Sequence, residues 1–125
     1  MARTDLRTNV EHEAQIRLME QLKNHHDERS MVVLRPADGE ETVMAWKLAV
    51  EEHRPVALVL SRQNIKTLPA LGTSRREEAA QVSKGGYVVM DSAKPEVVMV
   101  ATGSEVATLV EGAELLLPKV FRCAW

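Results

Sequence analysis

A permanent cation follows directly on a run of apolar residues. VALVLS (56–61) is typical of a buried β-strand, and the polar stretch Ser61-Arg62-Gln63-Asn64 ends it. A guanidinium binds phosphate or carboxylate through two parallel hydrogen bonds and stays charged at any working pH. Ligands of open parallel sheets collect outside the carboxyl ends of the strands, so Arg62 is a candidate anion-binding residue. Spacing alone favours the simpler interpretation, an arginine that pairs or snorkels at a strand end.

Two further turns carry polar groups. Arg35 follows a second apolar run and either lines a polar pocket or pairs with a nearby carboxylate, while Asp38 is expected to cap the next helix with Glu41 returning the bond. Thr102-Gly103-Ser104 also precedes a helix, whose first amides attract anions. One glycine falls short of a phosphate-binding fingerprint, so N-capping by Thr102 with Glu105 is the favoured interpretation there.

Metal and nucleophile chemistry find little support. His25 and His26 stand beside Asp27 and Glu28, but adjacent side chains diverge and chelate poorly, so a solvated loop is expected. Cys123 is the one cysteine, has no partner at motif spacing, and excludes an internal disulfide. The sequence therefore predicts no metal ligand and no nucleophile.

The elements that position these residues begin with a strand–helix–strand unit. Residues 31–35 and 56–61 are predicted strands, and the helix between them carries an apolar stripe that includes Val43, Trp46 and Val50, with Trp46 expected in the core. This order predicts a βαβ crossover with parallel strands. A preceding helix is predicted over residues 10–26, with Val10, Ala14, Leu18, Met19 and Leu22 on one face.

A second unit follows a segment rich in glycine, proline and charge, in which REEAAQV (76–82) predicts only a short helical turn. Strands are predicted at residues 87–90 and 96–101, and a helix after Ser104 is expected to bury Val106, Leu109, Val110, Ala113 and Leu117. Few strands and one helix cannot cover a parallel sheet, so exposed strand edges and association are expected. The predicted fold class is α/β, built of parallel-sheet βαβ units from two consecutive, incomplete domains.

Composition narrows the classes of partner. The chain has 125 residues, a net charge of -2 at pH 7 and 3% aromatic residues, which argues against a nucleic-acid surface. No apolar run approaches the roughly 20 residues that span a bilayer, so no membrane partner is expected. The start lacks a signal peptide, and the single cysteine suits a cytoplasmic setting.

Three segments in this order closely resemble transketolase. They are VVLRPADGEETVMAWKLAVE, RPVALVLSRQNIKTLP and GGYVVMDSAKPEVVMVATGSEVATLVEGAELL, and the likeness covers roughly residues 10–117. The resemblance implies that residues 1–70 are the closing part of a pyrimidine-binding domain. Residues 71–85 would be a linker, and residues 86–125 the truncated start of a carboxyl-terminal domain.

The resemblance also implies an activity. Transketolases are homodimers that use thiamine diphosphate with Mg²⁺ or Ca²⁺ to move a two-carbon ketol unit between sugar phosphates in the pentose phosphate pathway. The arginine of LSRQN holds the substrate phosphate in this family, which assigns that role to Arg62. Arg62 is the only site residue that the resemblance assigns. No catalytic, cofactor-binding or metal-binding residue is predicted in this chain.

Departures from the family pattern temper this. Residues 3–9 replace the D-G-P-T-H-x-P segment that supplies catalytic groups, and the cofactor's diphosphate and metal ligands have no counterpart. The chain is therefore expected to be a fragment of a transketolase, produced either as an expression fragment or by a truncated or frameshifted gene. Alone, it is expected to be inactive and to bind no cofactor. The alternatives are a non-catalytic binding or dimerisation module or one chain of a split thiamine-diphosphate enzyme. Deoxyxylulose-phosphate synthase and a dehydrogenase β subunit fit the motifs less well.

Overall fold

Helices and short strands alternate along the chain. The computed structural model describes residues 12–72, 74–93, 95–116 and 121–124. The first elements are α1 His12–Gln21, β1 Val32–Leu34, α2 Gly39–Glu51 and β2 Val56–Leu58. They are followed by α3 Arg75–Ala79, a 3-10 turn Ala80–Lys84, β3 Val88–Met90, β4 Val97–Val100, α4 Glu105–Leu116 and β5 Phe121–Ala124. This alternation confirms the α/β class.

β1 and β2 form the predicted parallel pair. Val32 lies opposite Val56 and Leu34 opposite Leu58, and α2 connects the two strands. The amide of Val59 adds one more bond by donating to the carbonyl of Leu34 at 2.9 Å. The parallel register places the residues that follow both strands at the same edge of the sheet.

The second sheet has the order β3-β5-β4. β4 runs parallel to β5, and β3 runs antiparallel to it. The predicted strands at 87–90 and 96–101 are thus confirmed within a residue or two. β4 lies at an edge and leaves Val97, Val98 and Val100 exposed, which confirms the expected exposed strand edge for this part of the chain.

One core joins residues from both sheets. Its buried members come from strands, helices and loops alike: Leu34, Ala37, Ala45, Leu68, Val82, Tyr87, Val89, Val106 and Val110. α4 faces this core as predicted, with Val106, Val110 and Ala113 buried and Leu109 half-buried. Leu117 lies outside the described residues. Within those residues, no helix has the length and apolar character that crossing a membrane requires.

The apolar face predicted for α1 is exposed. Leu18, Met19 and Leu22 are exposed, and so is Ala14, while Ile16 is half-buried. Val10 lies outside the described residues. The apolar period identified a helix correctly, but the described part of the chain leaves Leu18, Met19 and Leu22 largely uncovered.

The same helix also ends earlier than expected. The side-chain oxygen of Asn24 accepts hydrogen bonds from the amides of His26 and Glu28, and this local turn competes with further helix. The hydroxyl of Ser30 donates to the carbonyls of Met19 and Leu22 at the helix end, and the amide of Ser30 also donates to Leu22. His25 and His26 lie in this exposed turn, as predicted for a solvated loop.

The prediction that Trp46 lies in the core is also wrong. Trp46 is 55% exposed, and Val43 and Val50 on the same side of α2 are exposed too. The buried residues of α2 are Glu41 and Ala45, on the opposite side of the helix. Apolar spacing found the stripe, but polar pairing decides which side of α2 is covered.

Residues 75–84 do more than connect the two sheets. α3 and the 3-10 turn pack against α2, and Arg75, Ala79 and Val82 are buried there. The short helical turn predicted in REEAAQV is confirmed. The boundaries at residues 70 and 86 stay a prediction.

Candidate functional site

Arg62 lies just beyond the carboxyl end of β2 and is exposed. The turn that carries it is shaped locally, because the hydroxyl oxygen of Ser61 accepts a hydrogen bond from the amide of Gln63 at 3.0 Å. Among the described residues, no carboxylate forms an ion pair with the Arg62 guanidinium. The simpler interpretation, an arginine held in a salt bridge at a strand end, therefore finds no support in the described contacts.

Arg35, after β1, behaves differently. Its Nη1 donates to Thr102 Oγ1 at 3.1 Å, and its Nη2 donates to Glu105 Oε1 at 2.9 Å. The prediction of a nearby carboxylate partner for Arg35 is thus confirmed. Thr102 and Glu105, expected to cap α4 together, instead both contact this guanidinium. The start of α4 is thereby held against the end of β1.

Gly103 completes that contact. Its amide donates to the carbonyl of Arg35 at 3.0 Å, and its φ of 60° lies in the left-handed region that favours glycine. A Cβ at this position would meet Arg35 Cγ at 2.9 Å. Because the amide of Gly103 is already bonded to protein, an anion site built on Thr102-Gly103-Ser104 finds no support here.

A small cleft opens where these segments meet. It is lined by residues 35–36, 59–61 and 103–104, which come from the ends of β1 and β2 and from the turn before α4. Ser61, the neighbour of Arg62 in sequence, is one of the lining residues. The carboxyl edge of the β1–β2 pair is therefore a concave polar region with Arg62 at its border.

Residues 61–68, here named the Arg62 loop, are anchored at two points. The amide of Leu68 donates to Asp38 Oδ2 at 3.1 Å in the interior. On the surface, Lys66 Nζ lies 2.7 Å from Glu111 Oε1 of α4. Leu68 itself is buried in the core, so the loop returns to the interior only six residues after Arg62.

Asp38 also caps α2, as the sequence predicts. Its Oδ1 accepts from the amide of Glu41 at 2.9 Å. The return bond from Glu41 goes one residue further back than expected, because Glu41 Oε2 accepts from the amide of Ala37 at 2.8 Å. The backbone before α2 is held at both residues as a result.

Four buried polar side chains, here named the Arg75 cluster, meet behind this cap: Asp38, Glu41, Arg75 and Tyr87. Arg75 Nε donates to Asp38 Oδ2 at 2.8 Å, and Arg75 Nη2 donates to Glu41 Oε1 at 2.5 Å. The hydroxyl of Tyr87 donates to the same oxygen of Glu41. The cluster thus joins α2, α3 and the residue that precedes β3.

Burial and pairing set the charges in this cluster. Burial is the largest single influence and opposes the charged form of Arg75, but the hydrogen bonds and charge interactions with Asp38 and Tyr87 together outweigh it, and the pKa of the guanidinium is raised. Burial and the hydrogen bond to Glu41 raise the pKa of the Tyr87 hydroxyl. The guanidinium carbon also lies 5.5 Å from the centre of the Tyr87 ring. Arg75 is therefore a cation and Tyr87 a neutral donor at neutral pH.

Sequence reasoning missed Arg75 and Tyr87. Arg75 lies in the segment interpreted as a linker, 37 residues from Asp38 and 34 from Glu41. The sequence did contain one signal: Arg75, Ala79 and Val82 fall at the spacing of one helical face. In the structure all three are buried.

The described residues do not form a metal site. No group of three or more His, Cys, Asp or Glu side chains in this part of the chain is placed to hold a metal ion. Asp38 and Glu41, the buried carboxylates, are already occupied by Arg75. We therefore assign no described residue to thiamine diphosphate or to its metal.

Comparisons with known proteins converge on one family. Residues 8–67 match the family model for the transketolase pyrimidine-binding domain, a range that contains β1, α2, β2 and Arg62. The chain is 50% identical over 88 residues to transketolase 1 of Saccharomyces cerevisiae, and this covers 70% of the chain and 12% of the relative. It is 45% identical over 101 residues to the transketolase of Bacillus subtilis, covering 78% of the chain and 15% of that protein.

A solved structure gives the same answer. The crystal structure of the Pichia stipitis transketolase in complex with sedoheptulose 7-phosphate matches with a TM-score of 0.66 and 37% sequence identity, covering 79% of this chain and 14% of that one. The match therefore spans only about a seventh of the solved transketolase. Sequence and structure together show that the chain belongs to the transketolase family.

Proposed function

We propose that Arg62 binds the phosphate of a sugar phosphate in an enzyme that transfers a two-carbon ketol unit. The observation that carries the proposal is the exposed guanidinium of Arg62 at the carboxyl end of β2, without an ion-pair partner among the described residues. A planar guanidinium suits bidentate phosphate binding, and the carboxyl edge of a parallel sheet is where such ligands collect.

The relatives support the substrate class. The Pichia stipitis transketolase was crystallised with sedoheptulose 7-phosphate, a ketose phosphate. The Arg62 loop begins inside the range that matches the pyrimidine-binding domain. The phosphate would occupy the concave region beside residues 59–61, which is also lined by residues 103–104 of the turn before α4.

Transketolases in general depend on thiamine diphosphate, which supplies the carbon chemistry of ketol transfer. The contribution proposed for this chain is binding and orientation. A phosphate held at the far end of the sugar fixes the substrate's position, so that binding energy from a non-reacting group orients the reacting one. We infer that the chain alone shows no turnover with thiamine diphosphate, Mg²⁺ and a ketose phosphate. A cytoplasmic location and a homo-oligomeric state belong to the same proposal.

Arg62→Leu tests the phosphate contact directly. The ¹⁵N-labelled chain is titrated with fructose 6-phosphate, and the amide signals of residues 61–64 are followed. We expect the substitution to weaken binding by about tenfold or more, since a charge-assisted hydrogen bond contributes roughly 1.5–3 kcal/mol. Fructose without the phosphate should bind no differently to the two proteins.

Arg76→Leu is the matched control. Arg76 is exposed on α3, so its replacement removes the same charge away from the proposed site. If both substitutions weakened binding of fructose 6-phosphate equally, the effect would be one of net charge and Arg62 would have no special role.

A second candidate function has one observation in its favour. α2 presents Val43, Trp46 and Val50 to solvent as a continuous apolar stripe. Exposed stripes of this kind mark association surfaces. The chain would then act as a binding or dimerisation module, or as one chain of a split enzyme, and this role is compatible with a phosphate contact at Arg62.

A further inference from the structure

We infer that Asp38 is a positioning residue for phosphate binding: its buried carboxylate closes the Arg62 loop and so fixes where Arg62 stands. The inference rests on the proposed function of Arg62 and deepens it by naming the side chain that sets the loop's conformation. Asp38 itself does not touch the substrate in this proposal.

The loop is short and its two ends are held. Two residues before its start, the amide of Val59 donates to the carbonyl of Leu34 at 2.9 Å. At its end, the amide of Leu68 bonds Asp38 Oδ2 at 3.1 Å. Between these points the chain is exposed apart from the half-buried Ile65. A loop fixed at both ends loses less conformational entropy when it binds a ligand, and this favours affinity.

Asp38 is itself held in one position. It is 2% exposed, and its carboxylate accepts from the amide of Glu41, the amide of Leu68 and Nε of Arg75. A carboxylate taken out of water needs such donors. Oδ2 is shared between Leu68 and Arg75, so the α3 helix and the Arg62 loop meet at one oxygen atom.

The outer anchor of the Arg62 loop, the ion pair between Lys66 and Glu111, is expected to be much weaker. The side chains of Lys66 and Glu111 are 81% and 57% exposed, although their charged atoms are 2.7 Å apart. Exposed ion pairs contribute about 0–1 kcal/mol. The two anchors therefore differ in burial, and the inner one should dominate the position of Arg62.

Asp38→Asn separates the roles of the carboxylate. The remaining side-chain oxygen can still accept from the amide of Glu41 and cap α2. The new NH₂ group would face Arg75 Nε and the amide of Leu68, which are both donors. The substitution therefore keeps the cap but removes both the loop anchor and the bond to Arg75. Glu111→Gln is the matched control, because it removes a carboxylate charge at the outer anchor.

Amide hydrogen exchange and the fructose 6-phosphate titration give the test. In Asp38→Asn we expect exchange of the Leu68 amide and its loop neighbours to quicken by about tenfold or more, and phosphate affinity to fall by roughly three- to tenfold, as loss of a buried hydrogen bond implies. Hydrogen exchange of the α4 amides should be unchanged, and fructose should bind equally to the wild-type and Asp38→Asn proteins. Glu111→Gln should change both quantities by less than about twofold. Equal effects of the two substitutions would overturn the inference.

An ester at position 68 keeps the proposal testable if Asp38→Asn does not fold. Leucic acid in place of Leu68 replaces the donating N–H by an ester oxygen and leaves the Asp38–Arg75 pair and the buried side chain in place. The same gain in exchange, measured at the neighbouring loop amides because position 68 no longer has one, and the same loss of phosphate affinity are expected. Unchanged exchange and affinity in the ester protein would refute the role of Asp38, whereas unchanged affinity in Arg62→Leu would refute the proposed function itself.

Discussion

The two sides of α2 reverse the usual distribution of polar and apolar groups. One side buries Glu41, which belongs to the Arg75 cluster, together with Ala45. The other side exposes Val43, Trp46 and Val50. Burial in this helix follows pairing: a carboxylate with three hydrogen-bonded partners is covered, while a tryptophan without a covering element is not.

The two sides of α2 are suited to different roles. A buried ion pair breaks at high cost when one member is lost, so it fixes the relative position of the elements that it joins. An exposed apolar stripe contributes little to the stability of a single chain but favours association. The polar side therefore organises the inside of this molecule, and the apolar side is suited to contacts outside it.

Arg75→Met should give the largest effect. It leaves Asp38 and Glu41 buried without their cation, and we expect a loss of about 3–5 kcal/mol in the free energy of unfolding. Urea denaturation followed by circular dichroism measures this. Arg76→Met is the control on the exposed side of α3 and should stay within about 0.5 kcal/mol. A loss below about 1 kcal/mol for Arg75→Met would show that the cluster does not organise the fold.

Tyr87→Phe should give an intermediate effect with a characteristic pH dependence. It removes the hydroxyl that donates to Glu41, at a cost of about 1.5–3 kcal/mol at neutral pH. The folded protein raises the pKa of Tyr87 above its ordinary value of 10.0, so above that pH the folded state holds more protons than the unfolded state. Stability that is fully present below pH 10 is then lost as the pH rises.

The melting temperature between pH 8 and pH 11 measures that dependence. The wild-type protein should lose stability more steeply than Tyr87→Phe above pH 10, and the lysines, which are common to both proteins, cancel in the difference. Parallel curves would contradict a buried, neutral Tyr87.

Trp46→Gln should give the smallest change in stability. We expect the free energy of unfolding to change by less than about 0.5 kcal/mol, because the side chain is more than half exposed. Self-association, measured by sedimentation velocity over a range of concentrations, should decrease. Leu71→Gln, at another exposed apolar residue, is the control. A loss of more than about 2 kcal/mol would place Trp46 in a packed environment and remove the contrast between the two sides.

The local parts of this fold were predictable from sequence. Runs of β-branched residues identified all four strands from β1 to β4, and Asp38 was identified as the cap of α2. These features depend on neighbours within a few residues, so spacing reports them. Whether the apolar faces of α1 and α2 are buried could not be predicted, for the complementary reason. Periodicity shows that a helix has an apolar side but contains no information about what covers that side.

The candidate site divides in the same way. Arg35 was expected to pair with a carboxylate, and Glu105 fulfils that role from 70 residues away. The phosphate contact of Arg62 stays a prediction that rests on family resemblance and exposure. Arg75 could not be assigned, because Asp38 and Glu41, the carboxylates that it hydrogen-bonds, lie more than 30 residues away in sequence, and the residues next to Arg75 are typical of a surface loop.

The close approach at Gly103 has a consequence for sequence change. Two independent restrictions act on this position, the φ of 60° and the 2.9 Å between a would-be Cβ and Arg35 Cγ. Shortening the side chain at position 35 would relieve only the second, so the substitutions Gly103→Ala and Arg35→Ala should be epistatic, with part of the alanine penalty at 103 surviving in the double mutant. Positions 35 and 103 should therefore vary together through evolution. The left-handed φ at position 103 should still restrict which residues replace glycine there.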